Sequence, residues 1–241
     1  MANNYMYLAR EKLKEYDTVF VPIGSVEGHS FLPVGTDTFI AEAFAVSFAD
    51  ETKSLYLPAI WTGVTPNTMR LGAVSVKNTV LIELIVDICR TLRGAGMKKI
   101  ILVSIHNGND ATIKVAIEKL YFDDSAVVYY INPYRFIEEE CKLSFKDNAQ
   151  KETALYHASC NILGGKLPEE PTSETNTPKN EHLQCLRKYG YIAYEYETEL
   201  QHMDIRVQPP MDKAHEYFAL ACKKVRLLVK EMESLMSKEG G

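Results

Sequence analysis

Four side chains that can bind a divalent metal fall in two short stretches of the sequence. Glu27, His29 and Asp37 lie within eleven residues, and His106 follows a second apolar run. Glu27 and His29 are two positions apart, so in an extended chain they point to the same side. The turn at Pro33–Gly35 is expected to bring Asp37 close to them. One Glu, one Asp and two His form a mixed nitrogen and oxygen ligand set, which suits Zn²⁺, Mn²⁺ or Fe²⁺.

The same residue types also have ordinary structural roles. A carboxylate beside a glycine turn often caps a helix, and a histidine at a strand end is more often hydrogen-bonded than bound to metal. The amides of Asn107 and Asn109 could hold the oxyanion of a substrate or simply form a turn after His106. Trp61 could line a pocket or belong to the core.

The elements that must position these residues alternate between strands and helices. Apolar runs predict buried strands, and the segments between them have helical spacing, which together predict an α/β fold with a mainly parallel sheet. In such sheets ligands bind at the carboxyl ends of the strands, where Glu27 and His106 are expected. The predicted strands are DTVFVPIGS, SLYLPAIW, KKIILVSI and SAVVYYINP, and the predicted helices span residues 5–16, 38–50, 77–95, 111–120 and 211–236.

Composition and charge exclude several classes of protein. The 241 residues are 46% hydrophobic and carry a net charge of −5, which predicts a single globular domain over residues 1–241 with no affinity for nucleic acid. The apolar runs are too short to span a bilayer, and the polar N-terminus does not resemble a signal peptide. Five cysteines without a CxxC pair indicate a reducing compartment, so we expect a cytoplasmic protein.

Two of these stretches resemble the signatures of the creatininase family of metal-dependent hydrolases. VPIGSVEGHSFLPVGTD is similar to the first, in which Gly-Ser-x-Glu-x-His leads to Leu-Pro-x-x-Thr-Asp. ILVSIHNGND is similar to the second, a strand that ends in Asn-Gly-His-Gly-Gly-Asn. Between them LGAVSV resembles Pro-Gly-Thr-x-Ser, and QKETALYHA later resembles a Glu-Thr-Ser segment at a helix start. The resemblance covers roughly residues 15–160.

This resemblance implies a site with two divalent ions per subunit. Glu27 and His106 match ligands of one ion, His29 matches a ligand of the other, and Asp37 matches the carboxylate that bridges both. Glu152 matches the glutamate of the Glu-Thr-Ser segment, which lies in the active site and is a candidate ligand of the second ion. The resemblance also implies a substrate-lining serine at Ser75, a sandwich with helices on both faces of the sheet, and a homo-oligomer, with the hexamer as the form expected from the family.

The chain departs from the family pattern at several positions. One residue is missing between His29 and Leu32, together with a second family histidine. Gly108 stands where creatininases have a metal-binding glutamate, and Asp147 stands where they have a histidine that shuttles protons. We therefore expect a substrate other than creatinine, with Glu152 or Asp147 as the residue that relays the proton.

The sequence leaves several functions open. The first is hydrolysis of a C–N amide bond, in a cyclic amide or a formamide, by water that the metal activates. A second is ring opening of a cyclic polyol ketone of the 3-dehydro-scyllo-inosose type, and a third is a peptidase for cofactor precursors. A hypothesis outside the enzymes is that the chain is an oligomeric binding protein that metal stabilises and that catalyses no reaction.

Overall fold

A parallel sheet forms the centre of the molecule. The computed structural model of the protein describes residues 3–29, 32–66, 72–135, 145, 148–165 and 210–239. Within them every strand pairing is parallel, and the spatial order of the strands is β1-β3-β2-β4-β5. The strands are β1 (Asn3–Asn4), β2 (Thr18–Pro22), β3 (Leu55–Tyr56), β4 (Lys99–Val103) and β5 (Val128–Ile131).

Helices cover both faces of this sheet. The two central strands are buried along their whole length, as expected for strands with helices on either side. Phe20 and Ile101 pack into one apolar cluster, and their neighbours Val19 and Ile100 pack into the other. The helices are α1 (Arg10–Leu13), α2 (Thr36–Thr52), α3 (Asn78–Gly94), α4 (Asp110–Asp124), α5 (Asn148–Leu163) and α6 (Met211–Glu239).

The two faces use different helices. Helices α2, α5 and α6 contribute to the cluster around Phe20, and helices α3 and α4 contribute to the cluster around Val19. The predicted α/β fold with a parallel sheet and helices on both faces is thus confirmed. Among the described residues, no helix is long and apolar enough to cross a membrane.

The prediction of one helix over residues 5–16 is wrong. Asn3 and Asn4 pair with β3, and the chain then forms a 3-10 turn at Tyr5–Tyr7. Leu8 and Ala9 are extended, with ψ values of 139° and 148°, before the four residues of α1 begin. Because Asn3 and Asn4 are held at the edge of the sheet, residues 5–16 form a short 3-10 turn and a four-residue helix instead of one continuous amphipathic helix.

The long polar segment at 164–182 lies almost entirely outside the described residues. Only Gly164 and Gly165 of that segment are described, at the end of α5. The prediction that this loop packs at a subunit interface or over a pocket stays a prediction.

Helix α2 carries Asp37 and is fixed to α6 by stacked aromatic rings. Phe44 is fully buried, and its ring centroid lies 4.1 Å from that of Phe218 at an interplanar angle of 20°. We expect Phe44→Ala to lower the free energy of unfolding by about 3–5 kcal/mol, because it removes a large buried ring and leaves a cavity. Urea denaturation followed by circular dichroism measures this change.

The matched control is Phe122→Ala, since the Phe122 side chain is 80% exposed at the end of α4. That variant should unfold at nearly the wild-type urea concentration. Equal effects of the two substitutions would contradict the role given to Phe44.

Candidate metal centre

The segment between β2 and α2 folds back on itself and brings three predicted ligands together. The Glu27 amide donates to the Val34 carbonyl at 2.9 Å, and the Leu32 amide donates to the His29 carbonyl at 3.0 Å. The Thr36 amide then donates to the Pro33 carbonyl at 3.0 Å, which closes the turn that begins α2. Asp37 lies in the first turn of that helix, where the helix dipole favours a negative charge.

The fourth predicted ligand reaches the same place from the neighbouring strand. Strands β2 and β4 pair so that Pro22 lies opposite Val103. His106 follows three residues after Val103, and Ser25 follows three residues after Pro22. The Asp37 carboxylate lies between them, since its Oδ2 accepts from Ser25 Oγ at 2.9 Å and lies 2.9 Å from His106 Nδ1.

The distances among these side chains suit a divalent ion. One ligand atom from each of Glu27, Asp37 and His106 lies within 4.8 Å of the others, a group that could hold a metal. His106 Nδ1 is 3.1 Å from Glu27 Oε1 as well as 2.9 Å from Asp37 Oδ2. Ligand atoms about 2.0–2.2 Å from one ion lie roughly 3–3.5 Å from each other, so His106 Nδ1 already has the spacing of a common ligand with each carboxylate.

Asp37 also faces the second histidine through its other oxygen. His29 Nε2 lies 3.1 Å from Asp37 Oδ1 and 3.9 Å from Glu27 Oε1. Asp37 therefore presents Oδ2 to His106 and Oδ1 to His29, as a carboxylate that bridges two ions would do. The side chain is only 7% exposed, so its charge needs a cation nearby.

In each histidine one ring nitrogen contacts a backbone carbonyl, and the other ring nitrogen faces the carboxylates of the site. His29 Nδ1 lies 3.0 Å from the Glu27 carbonyl oxygen, and His106 Nε2 lies 3.0 Å from the Val64 carbonyl oxygen. A carbonyl only accepts, so these nitrogens carry the hydrogen and the opposite nitrogen of a neutral ring is free to bind metal. Metal-binding histidines are typically held in this way, which means that the residues fit a metal ion.

The charges of the site act strongly on one another. Burial lowers the pKa of His29, but the charge of Asp37 and its hydrogen bond outweigh this and raise that pKa to about 9. Burial likewise opposes the charged form of His106, yet its hydrogen bond to Asp37 and then that to Glu27 place the His106 pKa well above the usual value. Burial alone would raise the pKa of Asp37, and the two histidines hold it well below the ordinary range. The carboxylates thus strongly favour positive charge beside them.

Glu152 belongs electrostatically to the same group. It lies in α5, as its position in the Glu-Thr-Ser-like segment predicts. Burial raises the pKa of Glu152 to about 7, and the negative charge of Asp37 adds to that increase. The charge of Asp37 therefore acts on the Glu152 carboxyl group. Asp147, the other predicted proton relay, lies outside the described residues.

Gly108 cannot be replaced by a larger residue in this geometry. A Cβ there would lie 2.4 Å from His106 Nε2 and 2.4 Å from the Val64 carbonyl oxygen. The glutamate that creatininases are expected to carry here is thus excluded by the way in which His106 is held. A second ion would have to take its ligands from His29, Asp37 and Glu152.

The remaining predicted site residues differ in what they contact. Trp61 is 57% exposed, and its carbonyl accepts from Thr38 Oγ1 at 3.0 Å, next to Asp37. Asn107 is exposed beside His106. Ser75 Oγ accepts from the Thr65 amide at 2.9 Å and so supports the backbone segment that contains Val64. Direct contact of these side chains with a substrate stays a prediction.

The predicted substrate contact of Asn109 needs correction. Its side chain is completely buried, with Oδ1 accepting from the Val64 amide and Nδ2 donating to the Gly24 carbonyl, both at 2.9 Å. A side chain enclosed by backbone on both sides cannot reach a substrate in this conformation. Its amide connects three loops of the site instead.

Sequence reasoning missed Ser25 and Val64. Ser25 stands inside the first signature, and its hydroxyl could have been recognised as a donor to a nearby carboxylate. Val64 acts through its backbone carbonyl, which no side-chain pattern reveals. The ion pair between Arg135 and Asp110, near Asn107, was also not anticipated.

Comparison with known proteins identifies the family. The sequence profile described as "Creatininase: Creatinine amidohydrolase" matches residues 6–161, which is more than half of the chain. The chain belongs to the creatininase family. A curated member, the 3-dehydro-scyllo-inosose hydrolase of Thermotoga maritima, is 31% identical over 154 residues, 62% of this chain and 49% of that protein. The match therefore spans about half the length of that relative.

Solved structures of the family share this fold. A structure described as "Creatininase Mn" superposes with a TM-score of 0.65 at 14% identity, covering 96% of this chain and 99% of that chain. A structure of creatinine amidohydrolase (creatininase) gives a TM-score of 0.61 at 14% identity, covering 96% of each chain. The resemblance stated from the two signatures is confirmed as family membership, and these structures confirm the fold.

We expect Asp37→Asn to weaken zinc binding by more than about 100-fold. The amide keeps the shape of the side chain but removes the charge between the two histidines, and even residues that only support metal ligands contribute about 10- to 100-fold. Isothermal titration of the metal-free protein with Zn²⁺ measures the change. Asp50→Asn, an exposed position in the same helix, is the control and should bind zinc as the wild type does. Unchanged zinc affinity in Asp37→Asn would show that Asp37 is not a ligand.

Proposed function

We propose that this protein is a metal-dependent hydrolase that opens a small cyclic carbonyl compound with water. The observation that supports this proposal most directly is the convergence of Glu27, Asp37 and His106, whose ligand atoms lie within 4.8 Å of one another. The family membership of the chain supports the same reaction class. A non-catalytic binding protein would not need Glu152, a further buried carboxyl group on which the charge of Asp37 acts.

The side chains of the site divide into those that hold the metal and those that act on the substrate. A divalent ion held here supplies Lewis acidity toward a carbonyl oxygen and acidifies water. In this proposal Glu27, Asp37 and His106 would hold the first ion, and His29, Asp37 and Glu152 would be the candidates for a second. The identity of the ions as Zn²⁺, Mn²⁺ or Fe²⁺ stays a prediction. The Glu152 carboxylate is also the candidate that moves a proton between water and the leaving atom.

A polyhydroxylated cyclic ketone is the substrate class that we favour. The curated relative is named as a hydrolase of such a compound. The creatininase structures are only 14% identical to this chain, so they support the fold and not the substrate. Asp147 stands where creatininases have a histidine that shuttles protons, which fits a different leaving group. Exposed apolar side chains next to the site could pack on one face of a ring, as ligand pockets commonly do; they are Val34, Trp61 and Val74.

The proposed reaction consumes one water molecule. Water adds its oxygen to the carbonyl carbon, and the bond from that carbon to the neighbouring ring carbon breaks. The neighbouring carbon leaves with the electron pair and takes up a proton, for which Glu152 is the candidate donor. Such a carbon leaves readily only if a second carbonyl group adjoins it, so we expect a ring with two ketones. The ring opens to a single chain, which carries the new carboxylate at one end and the newly protonated carbon at the other.

Hydrolysis of a cyclic amide or a formamide is the alternative that the family description keeps open. It uses the same ligands and the same attack on a carbonyl carbon, with nitrogen as the leaving atom. Assembly into a homo-oligomer, with the hexamer as the expected form, and a location in the cytoplasm also stay predictions.

We expect the protein, loaded with Zn²⁺ or Mn²⁺, to open 3-dehydro-scyllo-inosose faster than creatinine or dihydropyrimidine-type cyclic amides. Proton NMR detects the new carboxylate-bearing chain directly and does not depend on a coupled enzyme. Protein treated with a chelator should lose this activity and regain it when the metal is restored. Faster turnover of a cyclic amide would favour the alternative, and absence of turnover on all substrates would contradict the proposal.

Glu152→Gln should lower kcat by about 10²- to 10⁴-fold, the usual contribution of a side chain that transfers a proton. Metal content is measured in parallel by elemental analysis, and the ion held by Glu27, Asp37 and His106 should remain bound. Glu118→Gln, at an exposed position of α4, serves as the control with wild-type kcat. A Glu152→Gln enzyme with an unchanged rate would remove Glu152 from the mechanism.

A further inference from the structure

The ring of His106 is held in one orientation by a backbone carbonyl. His106 Nε2 lies 3.0 Å from the Val64 carbonyl oxygen, and the ring is 7% exposed. Because a carbonyl oxygen can only accept, the hydrogen must be on Nε2. His106 Nδ1 is the nitrogen that faces the carboxylates of Asp37 and Glu27, at 2.9 and 3.1 Å.

We propose that Gly108 and Asn109 are positioning residues that select Nδ1 of His106 as its metal-binding nitrogen. They do this by keeping the Val64 carbonyl in place and by leaving room for the ring against it. This inference rests on the proposed metal centre and deepens it, since it assigns which atom of His106 binds the ion and which residues decide that.

Gly108 provides the room. A Cβ at position 108 would stand 2.4 Å from His106 Nε2 and 2.4 Å from the Val64 carbonyl oxygen, which are the two atoms of the hydrogen bond. Neither is the end of a flexible side chain that could move aside at little cost. Even an alanine at this position must therefore push the imidazole away from Val64 or shift the backbone that carries it.

Asn109 holds the backbone of Val64 through the Val64 amide, while His106 contacts the Val64 carbonyl. Asn109 Oδ1 accepts from the Val64 amide at 2.9 Å, so the amide and the carbonyl of Val64 are both engaged. Asn109 Nδ2 donates to the Gly24 carbonyl at 2.9 Å and thereby ties Val64 to the chain that follows β2.

The backbone of Gly63 packs closely against Asn109 and Gly24, which limits how far the Asn109 side chain can move. A Cβ on Gly63 would lie 2.4 Å from Asn109 Oδ1 and 2.5 Å from the Gly24 carbonyl oxygen. The backbone at Gly63 is also fixed, since the Val76 amide donates to its carbonyl at 3.0 Å. The contacts thus run from Gly24 through Asn109 and Val64 to His106 Nε2, the ring nitrogen opposite the one that faces the carboxylates.

The wild-type protein gives the first test, without any substitution. Long-range ¹H–¹⁵N NMR of the protein loaded with Zn²⁺ reports which imidazole nitrogen carries hydrogen and which binds zinc, and His106→Gln assigns the signal among the six histidines. We expect His106 to show a protonated Nε2 and a zinc-bound Nδ1. Zinc bound to Nε2 of His106 would overturn this inference while leaving the metal centre intact. Failure of the protein to bind zinc at all would overturn both.

Substitutions then test the positioning role. We expect Gly108→Ala and Asn109→Ala each to weaken Zn²⁺ binding by about 10- to 100-fold, as loss of a group that orients a metal ligand typically does. Gly94→Ala is the matched control, since a Cβ there meets nothing within 4 Å.

The readout that separates positioning from general destabilisation is the His106 Nε2–H signal. In Gly108→Ala it should disappear or shift, while Gly94→Ala keeps it. A folded Gly108→Ala protein with wild-type zinc affinity and an unchanged Nε2–H signal would overturn the role of Gly108. If Gly108→Ala does not fold, the wild-type NMR result and the zinc affinity and Nε2–H signal of Asn109→Ala still decide the inference.

Discussion

The buried carboxylate of Asp37 is the charge around which the site is organised. Removing a carboxylate from water costs several kcal/mol unless positive charge and hydrogen bonds replace the lost hydration. Here Ser25 donates to Oδ2, and the two histidines lie within 3.1 Å of the two oxygens. A histidine that binds a metal ion is neutral, so in the metal-bound state the cation itself must balance the charges of Asp37 and Glu27. A divalent cation supplies this balance, which is the physical reason to assign a metal centre.

Three features of the fold place this carboxylate. The parallel pairing of Pro22 with Val103 brings the chain ends that carry Ser25 and His106 to one edge of the sheet. The turn at Pro33–Thr36 directs the first turn of α2 at that edge. The far part of α2 is anchored by the stacking of Phe44 on Phe218, which keeps the helix in line with the strands. The sheet therefore fixes the histidine, and the helix packing fixes the carboxylate that it meets.

Much of this could be predicted because it depends on side-chain types at fixed spacings. Apolar runs indicated β2, β4 and β5, and the ligand set followed from residues that sit just beyond the first two of these strands. What the sequence could not provide depends on backbone atoms. The Val64 carbonyl that orients His106 has no side-chain signature, and Asn109 was assigned to the substrate because an amide can equally bind a substrate or a peptide group. The prediction of a helix over residues 5–16 was wrong for a related reason: Asn3 and Asn4 pair with β3 through backbone atoms, and this pairing overrides the helical spacing that follows.

The metal centre depends above all on whether Glu27, Asp37 and His106 bind one divalent ion. Crystals grown with Zn²⁺, with diffraction data collected above and below the zinc absorption edge, test it most directly. If these residues bind the ion, an anomalous peak should lie about 2.0–2.2 Å from Glu27 Oε1, Asp37 Oδ2 and His106 Nδ1. Zinc found only elsewhere on the protein, with these three side chains still hydrogen-bonded to one another, would contradict it.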